Sequence, residues 1–117
     1  TLMEQAIATY RHALSVRTEM TEPLAWAKVQ DDLGTALLIL GILKTDAQLV
    51  EQAITAYRSA LKERTQDRDP IAWANSQKNL GNALRALGEM ASGVAHDFNN
   101  LLAAIHGWAK LQLCTAP

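Results

Sequence analysis

A long internal repeat constrains this 117-residue chain more than any other feature. Leu2-Met3-Glu4-Gln5-Ala6-Ile7 recurs as Leu49-Val50-Glu51-Gln52-Ala53-Ile54, a period of 47 residues. At the same offset Tyr10-Arg11 recurs as Tyr57-Arg58, and Ala13-Leu14 as Ala60-Leu61. Pro23 answers Pro70, Ala25-Trp26-Ala27 answers Ala72-Trp73-Ala74, and Leu33-Gly34 answers Leu80-Gly81. In all, 22 of the 40 residues in 2–41 are identical to their counterparts in 49–88. Self-similarity of this density marks a repeat architecture, in which each unit buries its apolar face against the next.

Each unit reads as a pair of helices. Trp26, Val29, Leu33, Leu37 and Leu40 recur at spacings of three and four, which builds one apolar helical face. Pro23 and Pro70 fall where a first-turn proline is tolerated, because its missing N–H would have no intrahelical partner. Gly41 and Gly88 are expected to end these helices in left-handed caps. The second helix is expected over 47–64, capped by Asp46, with Leu49, Ala53, Tyr57, Ala60 and Leu61 on its buried stripe. Gly34, Gly81, Ala6, Ala53, Ala13 and Ala60 would let helix backbones approach closely, with Tyr10 and Tyr57 filling space between neighbours. Trp26 and Trp73, at equivalent positions, are expected to share a core role.

Leu-Gly in one helix and Ala-x3-Tyr-x2-Ala in the next resembles the tetratricopeptide repeat. The resemblance covers residues 1–88, with a period longer than the usual 34. Pro-(Leu/Ile)-Ala-Trp-Ala, Leu-Gly-x-Ala-Leu and Glu-Gln-Ala-Ile are similar to a long-period bacterial subfamily. It implies an all-α solenoid of antiparallel hairpins: a partial unit at 1–22, a full unit at 23–69 and the first helix of another at 70–88. It also implies a protein partner in a concave groove lined by Lys28, Asp31, Thr35, Asn75, Lys78, Asn82 and Arg85. The simpler reading of the same positions is the solvated side of an amphipathic helix.

After Gly88 the correspondence fails, since continuing it would set Asn100 against the packed Ala53. Val94, Phe98, Leu101, Ile105 and Trp108 instead follow spacings of 4, 3, 4, 3, a short heptad pattern able to form a dimer seam. With Phe98 and Ile105 at a, His96 falls at f, furthest from the seam, with Asp97 at g and Asn100 at c. His106 falls at b, a solvent-facing position. The segment Leu87-Gly88-Glu89-Met90-Ala91-Ser92-Gly93-Val94-Ala95-His96-Asp97-Phe98-Asn99-Asn100-Leu101-Leu102-Ala103-Ala104-Ile105 resembles the phosphoacceptor box of sensor histidine kinases.

That resemblance implies a role for each polar residue. His96 would attack the γ-phosphate of ATP, Asp97 would act as general base, and Asn100 would orient water when a response regulator is dephosphorylated. The chemistry suits the residue types: imidazole, with an ordinary pKa of about 6.5, is a competent nucleophile near neutrality. An adjacent carboxylate can take up its proton. Residues 89–117 would then be an incomplete phosphoacceptor unit at the end of a long C-terminal helix. No cofactor is expected in this chain: it contains no GxGxxG and no P-loop lysine motif, so ATP and Mg²⁺ would come through a separate kinase domain.

Composition limits what else the chain can be. Hydrophobic residues make up 49% with only 6 glycines and 3 prolines, which favours packed helices. A net charge of -1 gives no electrostatic reason to expect nucleic acid. No apolar run approaches the roughly 20 residues of a membrane span. Cys114 is the single cysteine, which excludes an intramolecular disulfide and points to a reducing, cytoplasmic setting. The opening at Thr1 and the absence of a first helix in the first unit lead us to expect an excerpt of a longer protein. Two functions follow from the sequence: a signalling fragment carrying a phosphoacceptor histidine, or an interaction scaffold whose last helix caps the solenoid.

Overall fold

A computed structural model of the chain describes the backbone of residues 1–115 and the side chains of residues 1–93 and 102–107. It is all-α: among the described residues there are four helices and no strand. They are α1 (Leu2–Val16), α2 (Pro23–Lys44), α3 (Ala47–Leu61) and α4 (Pro70–Thr115). The chain divides into two compact units, Thr1–Leu87 and the residues from Gly88 onward. No described helix is long and apolar enough to cross a membrane.

Local chemistry sets each helix start. Thr1 and Glu4 form a reciprocal capping box at α1. Pro23 occupies the first turn of α2, and Asp46 accepts from the N–H groups of Gln48 and Leu49 at α3. Asp69 Oδ1 accepts from Ala72 N (3.1 Å) in the first turn of α4. The repeat extends into the connecting turns. Thr18 Oγ1 accepts from Thr21 N, and its counterpart Thr65 Oγ1 accepts from Arg68 N, both at 3.2 Å.

Within Thr1–Leu87, α1 and α3 flank α2 and both run antiparallel to it. Lys44 Nζ, at the end of α2, meets Glu4 Oε1 at the start of α1 at 2.9 Å. Gly41, near the same end, abuts Val50 at the start of α3. Arg11 of α1 donates to Gln52 Oε1 of α3 (3.1 Å) across the groove between the two flanking helices. The core is formed by Leu33, Leu37 and Leu40 of α2 with Val50, Ile54 and Tyr57 of α3, joined by Ile7 of α1 and Ala83 of α4.

Two glycines set the spacing between α2 and α3. A Cβ at Gly34 would lie 2.7 Å from Tyr57 Cε1, and one at Gly41 would lie 2.9 Å from Val50 Cγ2. Both are far inside van der Waals contact, so the helices can approach this closely only because no side chain is present. Ala53 and Ala60, fully buried beside Tyr57, extend the same close contact along α3.

Several details depart from the sequence reading. Gly41 is not a cap: α2 continues to Lys44, and the left-handed residue is Thr45 at φ 51°, ψ 48°. Asp46 N donates to Gly41 O (2.8 Å) and closes that end. The glycine is required for packing, so the turn falls to a threonine. Gly88 is not a cap either, since α4 runs through it and no described glycine has positive φ. Gly81 makes no close approach: a Cβ there would meet nothing within 4 Å among the described residues. On α3 the buried stripe is Val50, Ala53, Ile54, Ala56, Tyr57 and Ala60, while Leu49 and Leu61 are half-buried. That helix ends at Leu61, short of residue 64. Trp26 and Trp73 are half-buried, flanking the core rather than filling it.

The paired glycines give a direct test. Gly34→Ala should destabilise the chain by about 1–3 kcal/mol, because the new methyl forces Tyr57 from its seat. Gly81→Ala, at the equivalent position, should stabilise it by about 0.5–1 kcal/mol through helix propensity alone. Urea unfolding of the two variants should therefore move the midpoint in opposite directions.

Candidate functional site

The helical backbone of α4 carries the segment from Gly93 to Leu102. The side chains of His96, Asp97 and Asn100 lie outside the described residues, as do those of Val94, Phe98, Leu101 and Trp108. Of the heptad stripe, Ile105 is described; it is exposed, and so are Leu102 and His106. Among the described residues no cluster of three or more His, Cys, Asp or Glu side chains could hold a metal ion.

The residues expected to line a groove divide into several groups. Lys28 is exposed and paired with Asp32 at 2.9 Å. Asn75, Lys78 and Arg85 are exposed on α4, and Arg85 donates to the half-buried Asn82 at 2.7 Å. Thr35 is exposed, but its hydroxyl shares a 2.9 Å hydrogen bond with Tyr57 Oη. Asp31 overturns the expectation of an outward-facing residue: it is buried, only 8% exposed.

Asp31 sits at the centre of a polar cluster joining α2, α4 and the turn that follows α3. Ser76 Oγ of α4 donates to its Oδ1 (2.8 Å), and Asn79 Nδ2 donates to its Oδ2 (3.2 Å). Arg64, just beyond α3, lies 3.6 Å from Asp31 Oδ2 and donates to Ser76 Oγ at 3.0 Å. Ser76 is fully buried, and the Arg64 and Asp31 side chains are only 13% and 11% exposed. A carboxylate withdrawn from water is tolerable here because a cation and two neutral donors surround it. Among the described residues no buried side-chain polar atom lacks a hydrogen-bond partner.

Sequence reasoning missed this cluster, although the repeat carried a signal for it. Asp31, Asp32 and Val29 correspond to Lys78, Asn79 and Ser76, so the two copies differ in polarity or charge on neighbouring turns of equivalent helices. Arg64 and its counterpart Arg17 are identical, but Arg17 pairs with the exposed Glu22 at 3.7 Å. The neighbouring phenol responds to the same surroundings. Burial pushes the pKa of Tyr57 above the usual tyrosine range, the hydrogen bond with Thr35 opposes that, and the Asp31 charge reinforces it.

Two open clefts lie between α1 and α3, with α2 as their floor. One, of about 590 Å³, is lined by Gln30, Leu33, Gln48, Glu51 and Thr55 among others. The other, of about 650 Å³, lies between Glu4, Ala8, Lys44 and Leu49. Arg11 and Leu37 line both. The first is walled by charges and amides and the second by charges, both over apolar residues that include Leu37. At the rim, the Lys44 ammonium beside Glu4 holds that carboxyl below the usual range.

The polar cluster generates two expectations. Asp31→Ala should cost about 2–4 kcal/mol in chemical denaturation, because it leaves the poorly solvated Arg64 charge without its ion-pair partner and the buried Ser76 hydroxyl without its acceptor. Tyr57→Phe should cost about 0.5–1.5 kcal/mol at neutral pH through the lost bond to Thr35. The raised pKa of Tyr57 means that its contribution is complete below pH about 10 and is lost as pH rises toward the folded-state value. The stability gap between Tyr57→Phe and the parent should therefore narrow in urea titrations above that pH. Compared with protein-family models, with curated proteins and with solved structures, the chain gave no match.

Proposed function

We propose that this chain is a signal-transduction piece in which tetratricopeptide-like hairpins over residues 1–88 receive a protein partner and residues 89–117 carry a phosphoacceptor histidine. The observation that carries the reading is the run Val94-Ala95-His96-Asp97-Phe98-Asn99-Asn100-Leu101-Leu102 on the helical backbone of α4. A phosphoacceptor helix needs a nucleophile, an adjacent base and an amide one turn later, and this run supplies all three.

In this reading a ring nitrogen of His96 attacks the γ-phosphorus of ATP held by a separate Mg²⁺-dependent kinase domain, and ADP leaves. The displaced imidazole proton passes to Asp97. The phosphoryl group then moves from His96 to an aspartate of a response regulator, with Asn100 positioning water for the reverse, hydrolytic task. A heptad seam through Val94, Phe98, Leu101, Ile105 and Trp108 would pair two such helices. The setting would be the cytoplasm, where ATP and the regulator are found. An interaction scaffold without phosphotransfer is the second reading, favoured by the open clefts between α1 and α3.

One experiment separates the two. The chain is incubated with Mg-ATP and a separately purified histidine-kinase catalytic domain, and acid-labile, base-stable phosphate is counted. The parent should be labelled, His96→Gln should be unlabelled, and Asp97→Asn should label about 10²-fold more slowly. An unlabelled parent, or label that survives His96→Gln, sinks the phosphoacceptor reading and leaves the scaffold.

A further inference from the structure

The repeat places the same interface on the molecule twice, but only one copy is covered. Gln30, Gly34 and Leu37 of α2 lie beside α3, with Ala27 one turn earlier on the same helical stripe. Ala27 is fully buried, Leu37 is 2% exposed, and Gly34 seats the Tyr57 ring. Their counterparts on α4 are the identical residues Ala74, Gln77, Gly81 and Leu84. All four are exposed; Leu84 reaches 44%, and the space over Gly81 is empty among the described residues.

The helix that would fit this face is also present twice. Tyr57, Ala53 and Ala60 of α3 make the covering contact and are 1%, 0% and 0% exposed. Their counterparts on α1 are Tyr10, Ala6 and Ala13, again identical, yet only half-buried. On one side Met3, Ala6 and Tyr10 face Asp32, Thr35, Ala36 and Ile39 of α2 across a small open gap. The chain therefore carries an exposed half-interface on α4 and a half-covered one on α1, matched in sequence as α2 is to α3.

The residues that follow in the chain are a poor substitute. At the 47-residue offset Asp97, Asn100 and Ala104 would stand where Val50, Ala53 and Tyr57 stand in α3. An acid and an amide would replace two fully buried apolar positions, and the ring that fills the glycine seat would be missing. The first helix of a second copy supplies Met3, Ala6 and Tyr10 at these three positions.

We propose that the exposed α4 face of one copy receives α1 of a second copy, with Tyr10 seated over Gly81 as Tyr57 is seated over Gly34. The contact continues the α2–α3 packing from one molecule to the next. It is heterologous, since each copy uses a different surface at each end, so it propagates head to tail instead of closing as a symmetric dimer. The proposal is independent of the phosphoacceptor reading.

Sedimentation velocity of the full chain over a roughly hundredfold concentration range measures this directly, since association follows mass action. The parent should grow in mean mass beyond a dimer. Gly81→Leu, which fills the seat and faces open space in the single copy, should remain monomeric with unchanged helical circular dichroism. Ala13→Glu should also remain monomeric, by charging the donor helix. Mixing the two variants should restore one contact only, between α1 of the Gly81→Leu chain and α4 of the Ala13→Glu chain, and stop at a heterodimer. A parent that stays monomeric throughout overturns the proposal, as would occur if its own C-terminal segment folded back over α4. So does a dimer that persists in Gly81→Leu, the result of a symmetric seam through the heptad. If Ala13→Glu loses helical signal, the Gly81→Leu result decides alone.

Discussion

The seat of Tyr57 on Gly34 is the contact on which the rest of the first unit depends. A ring whose edge would come within 2.7 Å of an added methyl fixes both the separation and the register of α2 and α3. With the ring in place, its hydroxyl reaches Thr35 at 2.9 Å, one residue past the glycine on the same helix. Gly41 repeats the close approach two turns later against Val50. Between them Leu37 and Ala53 become almost inaccessible to water. A core with few aromatic side chains is thus closed by letting backbones approach, with one ring as spacer.

The polar cluster around Asp31 solves a different problem. Apolar packing of small and aliphatic residues tolerates sliding and substitution, because several registers bury similar area. A carboxylate that must meet Arg64, Ser76 and Asn79 together does not tolerate a shift of one turn. Burying it adds little net stability, since desolvation opposes the attraction. Its effect is to favour one placement of the start of α4 against α2, with Arg64 drawn in from the end of α3.

The helices were legible in the sequence because their signals are local. Apolar spacing gave the elements, while Pro23 and Asp46 gave starts that the structure keeps. The glycines were not legible in the same way, since a glycine permits either a left-handed turn or a close contact and its neighbours in sequence do not distinguish them. Gly41 proved to be a packing residue, and Thr45 took the turn. Gly34 and Gly81 sit in near-identical local sequence, yet one is a seat and the other is open, because the difference lies in whether another helix covers them. Asp31 was misread because its polarity suggests solvent, whereas its partners lie 33 to 48 residues away. The reading of His96 rests on a motif and on heptad arithmetic, a kind of inference that packing within residues 1–87 does not reach.

The contrast between α2 and α4 also orders the local stabilities. Leaving a leucine in water instead of burying it forfeits about 1.5–3 kcal/mol, and Leu84, 44% exposed, loses part of this whereas Leu37, 2% exposed, does not. The start of α4 must therefore be held by its other side, where Ala83 and Ser76 are fully buried and Asp31 binds Ser76 and Asn79. That attachment is more polar than the α2–α3 contact, so it depends on satisfied hydrogen bonds where α2 and α3 depend on apolar area. Segments with fewer buried apolar contacts open at lower free energy than the core. It follows that the first stretch of α4 is the part of Thr1–Leu87 whose stability responds most to whatever covers its exposed face. A helix laid on Ala74, Gly81 and Leu84 would bury the apolar surface that α4 lacks and bring it toward the stability of α2.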